Sequence, residues 1–474
     1  MAKKIVSLST LIFSDFMAII FSFSLAYLIR KEVLPLIYYG FQQKPVPLGN
    51  HLEHFYMFII WIIIFTYEKL YTKRYSFWDE TRLLLKSTTI SFFIIMIAVF
   101  ITRQYAKFSR TIIILAWLLS FIFLPIFRFI IKTILIKLNL WRKKVIIIGS
   151  SKTISSIIKA IKENKTLGYE VVGCLTSKNN SKFNSIRDVK ILGNIDEIEE
   201  WKQKTGFEDI IISLPNLSSD KMIGLLKRCE QISDTIRYIP RTGELITAGV
   251  EIENIGKTLS LSVKKNLAKP WNILIKNIFE LTLALILVIL TIPLFIAISL
   301  AIKIDSKGPI FFIQERFGKR GKKIKLIKFR SMYIDADLRL KKYLNENPLA
   351  REEWRKFKKL KTFDPRVTRV GKFLRKHSLD ELPQLLNVLK GEMSLVGPRP
   401  YLMEEIKEIG SLSSILLQVK PGITGLWQIS GRSLLPFKER LNLDEYYIRN
   451  WSFWLDIIIL IKTIKVLMSG EGAY

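Results

Sequence analysis

Cysteine and histidine are nearly absent, with 2 and 3 residues in a chain of 474. Cys174 and Cys229 form no Cys-x-x-Cys or His-rich pattern. That excludes a thiolate metal site and a disulfide framework, and leaves two free structural thiols. Acidic residues are scarce as well, 41 against 73 Lys and Arg, for a formal charge of +32. Glycine is missing where a cofactor would need it. The turn Gly149-Ser150-Ser151-Lys152-Thr153-Ile154 has one glycine, whereas a dinucleotide fingerprint needs three. No small-residue cleavage site follows the first apolar run, so no cleavable signal peptide is expected.

Apolar length is abundant. Positive mean hydropathy, +0.24, coexists with a pI near 9.9. This pairing suits a membrane protein whose basic parts face anionic lipid or phosphorylated substrates. Nucleic acid is the other partner such charge allows, but the basic residues are interleaved with membrane segments, which argues against it. Four apolar runs, Ile5–Ile29, Phe55–Phe65, Ile90–Ile101 and Ile112–Ile131, predict a transmembrane domain over 1–143. Lys3 and Lys4 precede the first run. Lys69, Lys73, Arg74, Arg82 and Lys86 are expected in the loop after the second, and Arg128, Lys132, Lys137, Arg142, Lys143 and Lys144 follow the core of the fourth. The positive-inside rule then places the N-terminus and everything after Lys143 in the cytoplasm.

Strand-like Lys144–Gly149, Tyr169–Leu175, Asp209–Leu214 and Thr235–Ile239 alternate with helical stretches, which predicts a small doubly wound domain over 144–260. A scaffold or regulatory role is expected for it, because of the poor glycine turn. The segment 261–304 reads as a linker and a further apolar helix interrupted by Pro293. Lys264, Lys265, Lys269 and Lys276 lie before this helix, and Lys303, Lys307, Arg316, Lys319 and Arg320 after it, so both ends look cytoplasmic. A proline-broken hairpin entering and leaving one leaflet satisfies length and charge together. Residues 305–474 then form the last domain. It holds a basic β-hairpin over Phe311–Arg330, two helices split near Pro348, and an interfacial amphipathic helix over Phe453–Met468.

Within it, Arg375-Lys376-His377-Ser378-Leu379-Asp380-Glu381-Leu382-Pro383 sets two adjacent carboxylates in a basic chain. Pro383 is tolerated in a first helical turn but not deep inside. The helix is therefore expected to start between Ser378 and Asp380. The macrodipole would keep the carboxylates ionised and free amides would hold a phosphate. A plain capping box, Ser378-x-x-Glu381, is the alternative. Asp380 is a candidate nucleophile, and Asp380 with Glu381 a candidate Mg²⁺ site. Arg366, Arg375 and Arg399 are candidate phosphate clamps. Gly422 and Gly425 around Thr424 would let the backbone approach a ligand.

Five ordered segments carry a family resemblance: Lys328–Met332, Asp364–Thr368, Ser378–Leu385, Gly397–Pro400 and Pro421–Gln428. They resemble the catalytic domain of bacterial polyprenyl-phosphate phosphoglycosyl transferases, and the rest of the chain resembles the long membrane form. The resemblance implies transfer of a sugar phosphate from a UDP-sugar to undecaprenyl phosphate with release of UMP, at the bacterial inner membrane. It implies a phosphosugar on Asp380, assisted by Glu381, Mg²⁺ and Arg375. It places Pro398, Arg399 and Pro400 near the nucleotide, with Arg366, Thr424 and Arg432 in the substrate-binding set. The product would start an O-antigen, capsule or exopolysaccharide chain. Galactose is the expected sugar, with glucose or an N-acetylated sugar as alternatives, and a homodimer is compatible. The re-entrant helix around Pro293 is also implied. Its usual serine is Ile292 here and its usual aspartate Glu280, so Thr291 is expected to bond the backbone at the break. His377 stands where threonine is usual and is read as structural; His51 and His54 receive no role. The expected fold is thus four N-terminal transmembrane helices, a Rossmann-like α/β domain and an α-rich catalytic domain with the re-entrant hairpin. Two alternatives stay open: a membrane nucleotide-sugar dehydratase, whose glycines and Tyr-x-x-x-Lys pair are missing between 144 and 260, and a non-catalytic assembly scaffold.

Overall fold

The computed structural model describes the chain apart from residues 1, 42–45, 50–56, 102, 104–107, 177–184, 215–216, 234, 240–249, 256–257, 264–266, 268, 358–359, 361–362, 433–434 and 470–474. His51, His54, Lys264, Lys265 and the C-terminal tail lie outside the described residues. Two compact units form, Met1–Arg241 and Thr242–Tyr474.

The first unit opens with helices α1 (Ala2–Leu28), α2 (Met57–Tyr67), α3 (Phe77–Ile101) and α4 (Arg110–Lys137). Of these, α1, α3 and α4 are long and apolar enough to cross a membrane, while α2 is shorter. Helix α3 starts at Phe77, well before the apolar run at Ile90, and the Asp79 amide donates to the Ser76 hydroxyl at 3.4 Å at its start. Arg82 and Lys86 therefore lie on this helix and not in the loop before it. Arg128 and Lys132, expected as flanking charges, are buried within the bundle. Arg128 donates to both Asp15 oxygens at 2.6 Å and to Glu80 at 3.0 Å. Lys132 donates to both oxygens of Glu80 at 2.8 and 2.7 Å. Two acids and two bases thus neutralise one another in an apolar setting.

The sheet that follows joins β1 (Lys143–Gly149), β2 (Tyr169–Thr176), β3 (Ser185–Ile186), β4 (Val189–Asn194), β5 (Asp209–Ser213) and β6 (Thr235–Tyr238) in the order β3-β4-β2-β1-β5-β6. All pairs are parallel except β3 with β4. Ile146 and Ile148 face one core and Ile147 the other, the alternation a doubly covered strand requires. At the first βα turn, Ser150 and Thr153 cap each other across the start of α5 (Ser151–Glu163). The Thr153 hydroxyl also donates to the Ser213 carbonyl at 3.2 Å. Side chains of the same turn thus engage the Ser150 and Thr153 amides. Gly149 is required by packing, since a Cβ there would meet the Ser213 carbonyl at 2.8 Å. Arg74, expected only as a loop charge, ties bundle to sheet. It donates to the carbonyls of Trp141 and Leu167 at 2.8 and 2.6 Å and lies 4.7 Å over the Trp141 ring. The first unit consequently runs without a break across the expected boundary at 143/144.

The second unit begins with a hairpin of β7 (Val250–Ile255) and β8 (Thr258–Val263), so the expected boundary at 260 falls inside a strand. Helix α8 (Pro270–Asp305) runs 36 residues and stays helical through Pro293. Thr291 does bond the backbone, but to Leu287 at 2.6 Å and Val288 at 3.3 Å. It does not reach the Ile289 carbonyl that Pro293 leaves without a donor. Both ends of α8 are held by the same unit. Ala284 joins the core of Leu326, Leu385 and Val396, whereas Ile298 and Ile302 pack on Phe329 and Leu374. Between them Leu285, Ile286, Ile289, Leu290, Ile292, Leu294 and Ile296 are exposed.

Lys276, read from charge as a cytoplasmic flank of this helix, is buried instead. Its ammonium donates to Glu280 at 2.8 Å, Asp456 at 2.7 Å, the Val396 carbonyl at 3.0 Å and the Tyr447 hydroxyl at 3.1 Å. Around this centre sit β9 (Phe311–Phe317) and β10 (Lys323–Phe329), paired antiparallel, and helices α9 (Ala336–Glu346), α10 (Pro348–Phe357), α11 (Arg369–Lys376) and α12 (Gln384–Leu389). Short parallel β11 (Ser394–Val396) and β12 (Gly422–Thr424), then α13 (Phe437–Arg449) and α14 (Phe453–Ser469), complete it.

Candidate active site

The carboxylate pair sits at a reversal between two helices. Thr368 caps α11 by accepting from the Gly371 amide at 2.9 Å. Gly371 lets that helix lie on the Ser331 carbonyl, which a Cβ would meet at 2.0 Å. The helix ends at His377, whose ring packs 4.9 Å from Phe373. Ser378 then takes a left-handed conformation, φ 53°, costly for a residue with a Cβ. Arg432 holds it through a 3.0 Å bond to the Ser378 hydroxyl. Asp380 and Glu381 follow in a single 3₁₀ turn, Leu379–Glu381, and α12 begins only at Gln384. Pro383 stands at its N-cap. This corrects the expected helix start near Ser378: the carboxylates precede the α-helix, and the Ser378 side chain caps nothing, so there is no capping box.

The two acids have unequal surroundings. Glu381 accepts from Lys328 at 2.6 Å. Burial alone would raise it, but Lys328, with Arg432 and Arg399, holds it below the usual carboxylate range. Among the described residues no side chain forms an ion pair or hydrogen bond with Asp380. Burial, then the neighbouring Glu381 charge, pushes its carboxyl up against the pull of Lys328 and Arg375. The two carboxyls are thus shifted in opposite directions, Asp380 up and Glu381 down, where a shared helix start was expected to favour the ionised form of both. Arg375 is half-buried beside them and donates to the Ser331 hydroxyl at 2.9 Å.

Arg366 is oriented away from a simple clamping role. Its fork holds Asp364 at 2.8 and 2.7 Å, and it lies 4.9 Å over the Trp354 ring. Electrostatically this pair bears on Arg375. Gly422 and Gly425 serve backbone crossing, not ligand approach. A Cβ on Gly422 would meet the Gly397 amide at 2.1 Å, and one on Gly425 the Gly397 carbonyl at 2.3 Å. Thr424 is buried and bonds Thr463 of α14 at 2.7 Å.

That crossing fixes the segment Pro398-Arg399-Pro400. The Pro398 carbonyl accepts from Gly422 at 2.8 Å, and the Pro400 carbonyl accepts from Arg316 at 3.5 Å. The Arg399 amide donates to Asp444 at 3.1 Å, and the Tyr401 hydroxyl donates to the same oxygen at 2.6 Å. Arg399 itself reaches Glu405 at 3.6 Å. Burial pushes the Asp444 carboxyl up to about 7. Sequence reasoning missed Lys328, Asp364, Tyr401 and Asp444. Lys328 and Asp364 lie in motifs already singled out, so a partner search within those motifs would have found them. Asp444 carries no local signal.

Among the described residues no cluster of three or more His, Cys, Asp or Glu forms a metal cage. Mg²⁺ does not need one, since it takes one or two carboxylates and completes its shell with water and substrate phosphates. The unpartnered Asp380 beside Glu381 fits that donor set.

Two family models match the chain. A bacterial sugar transferase model covers residues 271–470, and a CoA-binding domain model covers 67–240. The chain is 33% identical over 486 residues to an undecaprenyl-phosphate galactose phosphotransferase of Salmonella typhimurium, covering 100% of this chain and 98% of that one. It is 35% identical to a UDP-galactose-lipid carrier transferase of Erwinia amylovora, over 85% of this chain and 84% of that one. A UDP-glucose:undecaprenyl-phosphate glucose-1-phosphate transferase of Xanthomonas campestris shares 31% identity over 70% and 68%.

Asp444 yields a stability prediction. Its ordinary value is 3.8 and its folded value about 7, so between them the folded chain keeps a proton that the unfolded chain releases. This stabilisation is full below about pH 4 and is lost as pH rises through about 7. Melting of the full chain in detergent at pH 5.5 and pH 8.5 should show a drop that shrinks in Asp444→Asn. An equal drop in both proteins refutes the assignment.

Proposed function

The chain belongs to the bacterial sugar transferase family, and from that membership and the geometry of its carboxylate pair we propose that it moves a sugar-1-phosphate from a UDP-sugar to undecaprenyl phosphate, releasing UMP. The observation that carries the reading is the asymmetry of the pair. Glu381 is held by Lys328, while Asp380 faces the site with no side-chain partner among the described residues.

An Asp380 oxygen attacks the phosphorus bearing the sugar. The bond from that phosphorus to the bridging oxygen breaks, and UMP leaves with the electron pair. A phosphate oxygen of undecaprenyl phosphate then attacks the same phosphorus, and the Asp380 carboxylate is released unchanged. A carboxylate raised by burial is a stronger nucleophile, and the nearby Lys328 and Arg375 favour its ionised form. Arg375, Arg399 and Arg432 offer planar donors for phosphate oxygens. When bound by Asp380 and Glu381, Mg²⁺ would offset diphosphate charge. The Pro398–Pro400 segment, anchored at Asp444, would position the nucleotide.

Galactose is the proposed sugar, since two full-length or nearly full-length relatives carry galactose in their names. The bacterial inner membrane is the proposed location, with the N-terminus and the second unit on the cytoplasmic side, where nucleotide sugars are available. The proposed boundaries stay at 1–143, 144–260, 261–304 and 305–474 as functional segments. Helix α8 is proposed to enter and leave one leaflet. Both of its ends pack on the same unit, and its middle exposes a continuous run of apolar side chains. Family membership removes the dehydratase alternative.

Replacing Asp380 by Asn should lower turnover by about three orders of magnitude or more. With UDP-sugar and no lipid acceptor, the wild type should carry a phosphosugar mass on the Asp380 peptide, and undecaprenyl phosphate should discharge it. No adduct under rapid quench, together with kinetics requiring both substrates before UMP leaves, would rule out the covalent route. The complete absence of UMP release from any UDP-sugar would leave the scaffold alternative.

Competition between UDP-galactose and UDP-glucose at equal concentration should favour galactose; a clear preference for glucose refutes that assignment. For topology, Lys269→Cys and Lys307→Cys should both react with an impermeant maleimide only from the cytoplasmic side. Cys174 and Cys229 are buried and stay silent. Labelling of the second position from outside would mean a true span.

A further inference from the structure

A second basic site lies beside the start of α8, away from the carboxylate pair. A small open cleft there is lined by Lys276, Asn277, Lys319, Ser394, Gln418 and Lys420, among others. Lys276 is neutralised by Glu280 and Asp456. Lys319 and Lys420 are not: among the described residues neither forms an ion pair, and the one polar contact of Lys420 is the Asn277 side-chain oxygen at 3.3 Å. Lys319 is held at the β9–β10 turn, where Arg320 donates its amide to the Leu417 carbonyl at 2.6 Å. Lys420 immediately precedes the glycine crossing. Both ammonium groups are therefore delivered by well-anchored backbone, not by free surface chain.

Two half-buried cations facing one cleft repel each other and lose hydration, and an anion between them would relieve both. Lys420 shows the strain. Burial, with Lys319 and Lys276, holds it below the ordinary lysine value despite the pull of Glu280. No group of the catalytic set lines the cleft. On the flank of the same helix turns, Leu274 and Ile278 are exposed, so the cleft opens beside apolar surface.

We propose that this cleft binds a phosphate group, separately from the site of sugar-phosphate transfer and independently of that reading. The group can come from an anionic phospholipid headgroup, whose acyl chains would run along Leu274 and Ile278, or from soluble phosphate. Basic pockets against membrane helices suit the first source.

Lysine footprinting of the full wild-type chain tests this without a variant. The chain, in detergent micelles doped with phosphatidylcholine, with phosphatidylglycerol, or with phosphatidylcholine plus inorganic phosphate, is acetylated and read by peptide mass spectrometry. Phosphatidylglycerol should lower acetylation of Lys319 and Lys420 by about ten-fold at ten times the dissociation constant. The exposed Lys341 and Lys342 should change by less than about two-fold, since screened surface attraction alone is weak. Protection by phosphatidylglycerol only assigns a lipid headgroup, and equal protection by inorganic phosphate assigns a soluble source. No protection of Lys319 and Lys420, or the same loss at Lys341 and Lys342, overturns the proposal.

Discussion

The second unit is organised around one buried ammonium group. Lys276 on α8 binds Glu280 one turn along, Asp456 on α14, the Tyr447 hydroxyl on α13 and the Val396 carbonyl on β11. Glu280 in turn accepts from the Ser394 hydroxyl and the Val396 amide. Four elements thus converge on a single buried charge. Removing one member of such a cluster strands the others, at a cost of about 3–5 kcal/mol for a buried pair. The apolar helix and the strand leading to Pro398–Pro400 are therefore one mechanical object. A shift of the helix moves the strand, and with it Arg399.

Positioning in the site follows from that rigidity. Arg399 is fixed at its amide by Asp444 and its segment by the Gly397–Gly422 crossing, while its guanidinium reaches Glu405. On the opposite side, the left-handed Ser378 turns the chain so that Asp380 and Glu381 emerge together in one tight turn. Such strain persists only where neighbours enforce it, and Arg432 is the neighbour. The pair then differentiates through Lys328, which reaches Glu381 alone. Two chemically similar side chains acquire different protonation behaviour without any metal or substrate being required to distinguish them.

Much of this was legible from residue order. Strands β1, β2, β5 and β6 fall where apolar runs predicted them to within two residues or so. The hairpin β9–β10, the split at Pro348 and the carboxylate pair were legible too. The misreadings share one cause. Arg128, Lys132 and Lys276 were taken as markers of a membrane edge, because a lone cation in an apolar run is normally outside. Most of their carboxylate partners lie far away in sequence, Asp15, Glu80 and Asp456 among them, although Glu280 stands one turn from Lys276. The polar first half of α3 shows no apolar run, because its residues are buried by packing and ion pairing. Asp380 and Glu381 were placed in an α-helix because Pro383 permits that, whereas the left-handed Ser378 depends on Arg432, fifty-odd positions later. Gly422 and Gly425 signalled close approach correctly, but sequence does not say whether the visitor is a ligand or another strand.

The order of charges in the membrane bundle bears on how the chain is made. Asp15 belongs to α1 and Glu80 to α3, and both are synthesised before Arg128 and Lys132 on α4. When the two cations enter the lipid phase, their counter-charges are already there. An isolated α4 would carry two unpaired cations in an apolar environment, which is an unfavourable insertion. The pairing of α4 with α1 and α3 therefore removes a cost that α4 alone would bear.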